Sequence, residues 1–165
     1  MKTIHLFLVA LLFQATYTEL TAQRTERGDQ IEIAALQLNE RALEAAKAGA
    51  VTEAYKISEQ GLLIPNEGYT LIMNMGDENV FCLPISGRGE LERIIRMPER
   101  DEIENGGIAR CICEERGGCE IQRMPFRDQV RVYCRGACNC QIAIQYELKL
   151  FSRFQDLNGR WVAIR

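Results

Sequence analysis

The strongest constraint on this chain is the run from Cys111 to Cys140, CICEERGGCEIQRMPFRDQVRVYCRGACNC, which holds six of the seven cysteines. Their spacing is C-x-C-x5-C, a gap of fourteen residues, then C-x3-C-x-C. Thiols at this density either cross-link the chain or bind metal, and each outcome dictates which strands can be neighbours.

The compartment decides between these chemistries, and the first residues indicate the compartment. Met1-Lys2 is a short positive start, and Ile4 to Phe13 (IHLFLVALLF) is an apolar run of ten. Polar and small residues follow, which is the plan of a secretory signal peptide. The run is too short to span a bilayer. Residues 1–22 are therefore expected to be removed after Ala22, giving an exported protein, periplasmic or extracellular. The single histidine, His5, falls within that segment. A mature chain without histidine has no Ser-His-Asp or Cys-His machinery and no mixed Cys/His metal site.

Residues 23–64 read as a helical segment. Asp29 offers an N-cap with Glu32 three residues on, and Ile33, Leu36, Ala42, Leu43, Ala46 and Ala50 recur near helical spacing. Gly61 reads as the C-terminal stop. The segment LNERALEAAKAGAVTEAYKISEQGL resembles one tetratricopeptide-type helix pair, with no second copy to stack on it. The expectation is an amphipathic helix or helix pair lying on the core.

Beyond Pro65-Asn66-Glu67-Gly68 the period changes to two. Tyr69–Met75 and Asn79–Leu83 read as a hairpin closed by Gly76-Asp77-Glu78. Leu91–Met97 fits a helical turn or a strand, and residues 98–107 read as an exposed charged loop. From Ile108 short strands follow at 108–114, 119–124, 129–135, 139–150 and 160–164. Residues 65–165 are thus expected to be a cysteine-rich antiparallel β domain, a meander or small sandwich. The fold class as a whole is α+β, with the N-terminal helices packed on a β unit stapled by disulfides.

Within these strands alternation places Cys134 with Val130 and Val132, Cys119 with Ile121, and Cys138 and Cys140 with Ile142, Ile144 and Tyr146. Cys119, Cys134, Cys138 and Cys140 therefore point inward; Cys111 and Cys113 share a face, which Ile112 leaves ambiguous, and all six are the candidate disulfide cysteines. Three bridges among six cysteines allow 15 connectivities. A bridge within either C-x-C pair is disfavoured, because residues i and i+2 of a strand stand about 6.5–7 Å apart. Opposed positions on neighbouring strands, about 5.5 Å apart, suit a bridge. The competing readings are an all-thiolate metal site and a thiol–disulfide redox centre. The spacing lacks the paired C-x2-C of zinc ribbons, and no strand-then-helix C-x-x-C context is present. Cys82, alone in an apolar strand, reads as a small buried hydrophobe.

The charge is uneven. Residues 23–107 carry nine basic against sixteen acidic residues, and 108–165 carry ten against six. The basic side chains of the second part are nearly all arginine, so Arg110, Arg123, Arg131 and Arg135 are candidates for an anion or partner surface. The overall net charge of -3 is too small to indicate nucleic acid. No phosphate loop, G-x-S-x-G or H-E-x-x-H occurs, so neither a catalytic residue nor a cofactor is implied. The expected function is an exported, disulfide-stabilised binding or structural protein, with a protein partner or a second copy as its counterpart. The alternative is a metal-thiolate or redox protein.

Overall fold

The computed structural model describes residues 30–47, 49, 51–97, 100–103, 106–113 and 118–164. The expected signal segment and the Asp29 cap lie outside them. The described chain is mostly β, and every strand pairing in it is antiparallel.

The N-terminal helix pair is the main correction. Residues 30–33 and 35–38 form strands β1 (Gln30–Ile33) and β2 (Ala35–Leu38). Among the described residues up to Pro65, only Glu40–Lys47 is helical (α1), capped by Asn39, whose Oδ1 accepts from the Ala42 amide at 2.9 Å. The helical spacing of Ile33 and Leu36 has another origin. Each strand alternates with period two, and the bend at Ala34 shifts the phase between them, which turns a spacing of two into three. Tyr55–Ile57 (β3) and Leu62–Pro65 (β4) form a hairpin. Gly61 does adopt a left-handed φ of 77°, but it closes this hairpin rather than a helix.

From Tyr69 onward the expected strands are present. Tyr69–Asn74 (β5) and Asn79–Pro84 (β6) pair across the 75–78 turn, where the Asn74 side chain accepts from the amides of Gly76 and Asp77. Leu91–Ile95 resolves as helix α2, preceded by a 3-10 turn over Ile85–Glu90. The charged 98–107 stretch contains a short strand, β7 (Asp101–Ile103), on the edge of β8 (Gly107–Cys113). Cys119–Phe126 (β9) and Gln129–Gly136 (β10) make a two-stranded ribbon. The 139–150 stretch contains β11 (Cys140–Glu147), ends in a 3-10 turn, and continues as β12 (Phe151–Gln155), which closes on β13 (Trp161–Ala163).

These strands build two sheets and the ribbon. The first sheet has the order β1-β5-β6-β11-β8-β7 and the second β13-β12-β2-β4-β3. The main core lies between them. Leu71, Met73, Val80, Cys82, Ile142, Ile144 and Tyr146 of the first sheet meet Leu36, Leu63 and Phe154 of the second and Val132 of the ribbon. The other face of the first sheet carries Ile72, Phe81, Leu83, Ile112 and Ala143, and Leu91 and Ile94 of α2 cover it. Burial on both faces explains why β5 and β6 read as nearly continuous apolar runs.

Candidate functional site

The ribbon is the most distinctive part of the molecule. Its inner face carries Val130, Val132, Cys134, Cys119 and Ile121, and Val132 is fully buried in the main core. One edge is held by residue 51: the Val51 amide donates to the Val130 carbonyl, and the Val132 amide donates to the Val51 carbonyl, each at 2.9 Å. Three disulfides complete the attachment. Cys111 bonds Cys134 with a Cα separation of 5.6 Å, while Cys113 bonds Cys138 and Cys119 bonds Cys140, each at 5.9 Å.

All six candidate cysteines are bridged, and neither C-x-C pair bridges internally. The connections are not the opposed pairs of one ladder, however. Cys113 and Cys140 face each other across β8 and β11 and are not bonded to one another. Every bridge instead joins the first sheet to the ribbon or to the turn that leaves it. Gly136 makes the closest approach possible. A Cβ there would lie 2.0 Å from the Gly118 carbonyl oxygen and 2.9 Å from the Cys140 sulfur. Cys82 is fully buried and unbridged, and its thiol donates to the Ala54 carbonyl at 3.3 Å. Burial pushes its pKa upward, so the thiol stays protonated and inert.

The two bridges nearest the ribbon exit are in mutual contact. The Cys119 and Cys138 sulfurs are 3.1 Å apart and those of Cys138 and Cys140 are 3.6 Å apart. The sulfurs of Cys113, Cys119 and Cys138 all lie within 4.8 Å of one another. A shallow depression lined by Gly118, Cys119, Glu120, Gln122, Arg135 and Gly136 opens onto this group.

The four candidate arginines do not share a surface. Arg131 and Arg135 lie on the outer face of β10, with Tyr133 between them. Arg123 is on the inner side of β9, where its Nε donates to Asp101 at 2.8 Å and its Nη2 to the Glu102 carbonyl. Arg110 is only 4 % exposed. It projects from the α2 side of β8, and its Nη1 donates to Gln145 at 2.9 Å. Its Nε has no hydrogen-bond partner among the described residues. Burial, with Arg100 beside it, lowers its pKa. Its type, arginine in a basic segment, is what suggests a surface position; in the fold it shares a face of β8 with Ile112, which packs against Leu91 and Ile94 of α2.

Sequence reasoning also missed the apolar members of the outer face. Met124 and Phe126 are 40 % and 38 % exposed and stand opposite Arg131 and Gln129. The tip turns through Arg127 at a positive φ of 54°, and its guanidinium lies 5.6 Å from the Phe126 ring centre. The alternation that puts Val132 and Cys134 inside necessarily puts Met124 and Phe126 outside, so the signal was present in the register. Beside the ribbon, α1 and β3 border an open cleft of about 640 Å³, lined by Leu43, Val51, Tyr55, Ile57 and Gln129 among others.

Among the described residues, no helix is long and apolar enough to cross a membrane. Comparison of the chain with protein-family models, characterised proteins and solved structures found no match.

Proposed function

We propose that this chain is an exported, disulfide-stapled binding module that uses the outer face of its β9–β10 ribbon. The observation that carries this reading is the placement of the bridges: all three tie the ribbon region to the first sheet. Such cross-links hold a two-stranded ribbon in position without a core of its own, which a lone hairpin lacks. Three bridges are also typical of an oxidising compartment, which fits the signal-peptide reading and a periplasmic or extracellular destination.

The chemistry of the outer face favours a protein partner. Arg131, Arg135, Tyr133, Met124 and Phe126 belong to the residue types enriched at interface centres. The two arginines suit acidic groups presented beside an apolar side chain. A non-glycine residue with positive φ at the exposed tip is a strained position of the kind that concentrates at binding sites.

The test is binding to an array of acidic peptides with interspersed aromatic residues, measured at two salt concentrations. The chain should bind a subset more weakly at high salt, and R131E/R135E should lose about tenfold or more of that affinity. Lys56→Glu lies off the ribbon and should change it little. Equal binding by R131E/R135E, or no binding by the parent chain, refutes the reading.

A further inference from the structure

From the contact between two of the bridges, we infer that Cys113, Cys119, Cys138 and Cys140 form a redox-gated site for a thiophilic tetrahedral cation of the zinc class. The bonded pairs are Cys113–Cys138 and Cys119–Cys140, and the close approaches are between these pairs, at 3.1 and 3.6 Å. Cys113 and Cys140 complete the group as direct neighbours across β8 and β11. Four thiolates around zinc at about 2.3 Å place neighbouring sulfurs about 3.8 Å apart. Two non-bonded distances are thus already near ligand spacing, and the Cys113 sulfur lies within 4.8 Å of that of Cys119, while Cys140 has to swing toward Cys113 to complete the tetrahedron. Side-chain rotation also has to open each bonded pair by about 2 Å. The Cα separation of 5.9 Å in both bridges leaves the sulfurs within reach of one shared ion.

Three further observations support a site rather than a chance packing of bridges. Cys113, Cys119 and Cys140 lie on paired strands β8, β9 and β11, and Cys138 on the short turn between β10 and β11, so strand pairing orients three of the four ligands. The depression that ends at Cys119 supplies an entry path, and Arg135 on its rim offsets part of the double negative charge of a tetrathiolate. The sulfurs of Cys111 and Cys134 lie outside the 4.8 Å group, whereas Cys140 joins it through its 3.6 Å approach to Cys138.

A dithiol reduces each bridge by two electrons and leaves as its cyclic disulfide, so two dithiols yield four cysteine thiols. One divalent cation then replaces four protons, giving a tetrathiolate complex with a net charge of minus two. Two equivalents of a disulfide oxidant re-form both bridges, each accepting two electrons and two protons and leaving as a dithiol, and the ion is expelled. The two states are mutually exclusive, because a sulfur in a disulfide has no thiolate to donate.

The probe is Co²⁺ alone, added to the whole chain after reduction with dithiothreitol and removal of the reductant under argon. The expected result is one Co²⁺ per chain, with sulfur-to-metal charge-transfer and tetrahedral ligand-field bands that one equivalent of Zn²⁺ abolishes. Cys119→Ser and Cys138→Ser should each lose these bands, and C111S/C134S should keep them. A second measurement on the unaltered chain does not depend on a variant folding. With Zn²⁺ bound, iodoacetamide should modify Cys111 and Cys134 while sparing Cys113, Cys119, Cys138 and Cys140, as read by peptide mass. No bound Co²⁺, an octahedral spectrum, or protection spread evenly over all six cysteines overturns the inference.

Discussion

Removing one bridge at a time should cost less than its loop length suggests, because the three bridges overlap. The Cys111–Cys134 bridge spans 23 residues. Taken alone, closing such a loop stabilises the fold by about 3 kcal/mol, through the entropy it removes from the unfolded chain. The other bridges change that reference state. Cys111 is two residues from Cys113, and Cys134 is four residues from Cys138. With Cys113–Cys138 intact, the unfolded chain already holds Cys111 near Cys134, and the loop left to close is only a few residues on each side. The same entropy relation then gives about 2 kcal/mol. The double variant C111A/C134A should therefore lose about 2 kcal/mol, roughly 6 °C in Tm. In a background where C113A/C138A and C119A/C140A have already removed the other bridges, the same change should cost about 3 kcal/mol. Guanidinium unfolding followed by far-ultraviolet circular dichroism measures both, and the slope should steepen as each bridge is lost and the unfolded chain expands. Equal costs in the two backgrounds, or a larger cost when the other bridges are present, would refute the overlapping-loop argument.

Three other predictions follow from single residues. Gly136→Ala has no room, since its Cβ would strike the Gly118 carbonyl oxygen and the Cys140 sulfur; it should lower the yield of the Cys119–Cys140 bridge, measured by thiol counting after oxidative refolding, and a fully bridged, equally stable product would contradict the packing. Ile142→Ala removes a fully buried side chain from the main core and should cost about 3 kcal/mol in thermal or denaturant unfolding, with a loss below about 1 kcal/mol excluding tight packing there. Cys82 should resist native-state alkylation and react once the chain unfolds. Its folded pKa lies above the ordinary 9.0, so above that pH only the unfolded chain sheds the proton and stability falls as pH rises. Relative to Cys82→Ala, the parent chain should lose about 1.4 kcal/mol per pH unit above about pH 9, and parallel pH profiles would exclude this.

The sequence was most legible where one periodicity ran without interruption. The hairpin 69–84 stands out as two short apolar runs bounded by turn residues, and β9 to β11 alternate, which gives the inward direction of Cys119, Cys134 and Cys140. It was least legible where two short strands meet at a bend. β1 and β2 are each four residues long, and the phase change at Ala34 makes their apolar residues imitate a helix. The bridge partners were hidden for a different reason. Alternation fixes which face a sulfur occupies, but the pairing depends on how the ribbon stacks on the first sheet, which no local pattern encodes. Arg110 was hidden by the same kind of non-local fact, the covering of its face by α2.

The order in which strands become available has its own consequence. β2 lies between β4 and β12, and a hydrogen bond from Ser152 to the Gln37 carbonyl joins residues 115 apart in the chain. A chain emerging from an export channel N-terminus first would expose β2 long before β12 appears. Through that interval the apolar edge of β2 needs shielding, because unpaired strands seek partners in other chains. The cysteines of β8 to β11 emerge before β12 as well. Bridge formation can therefore precede completion of the second sheet, and the last step of folding is the arrival of β12 beside a strand that has waited for it.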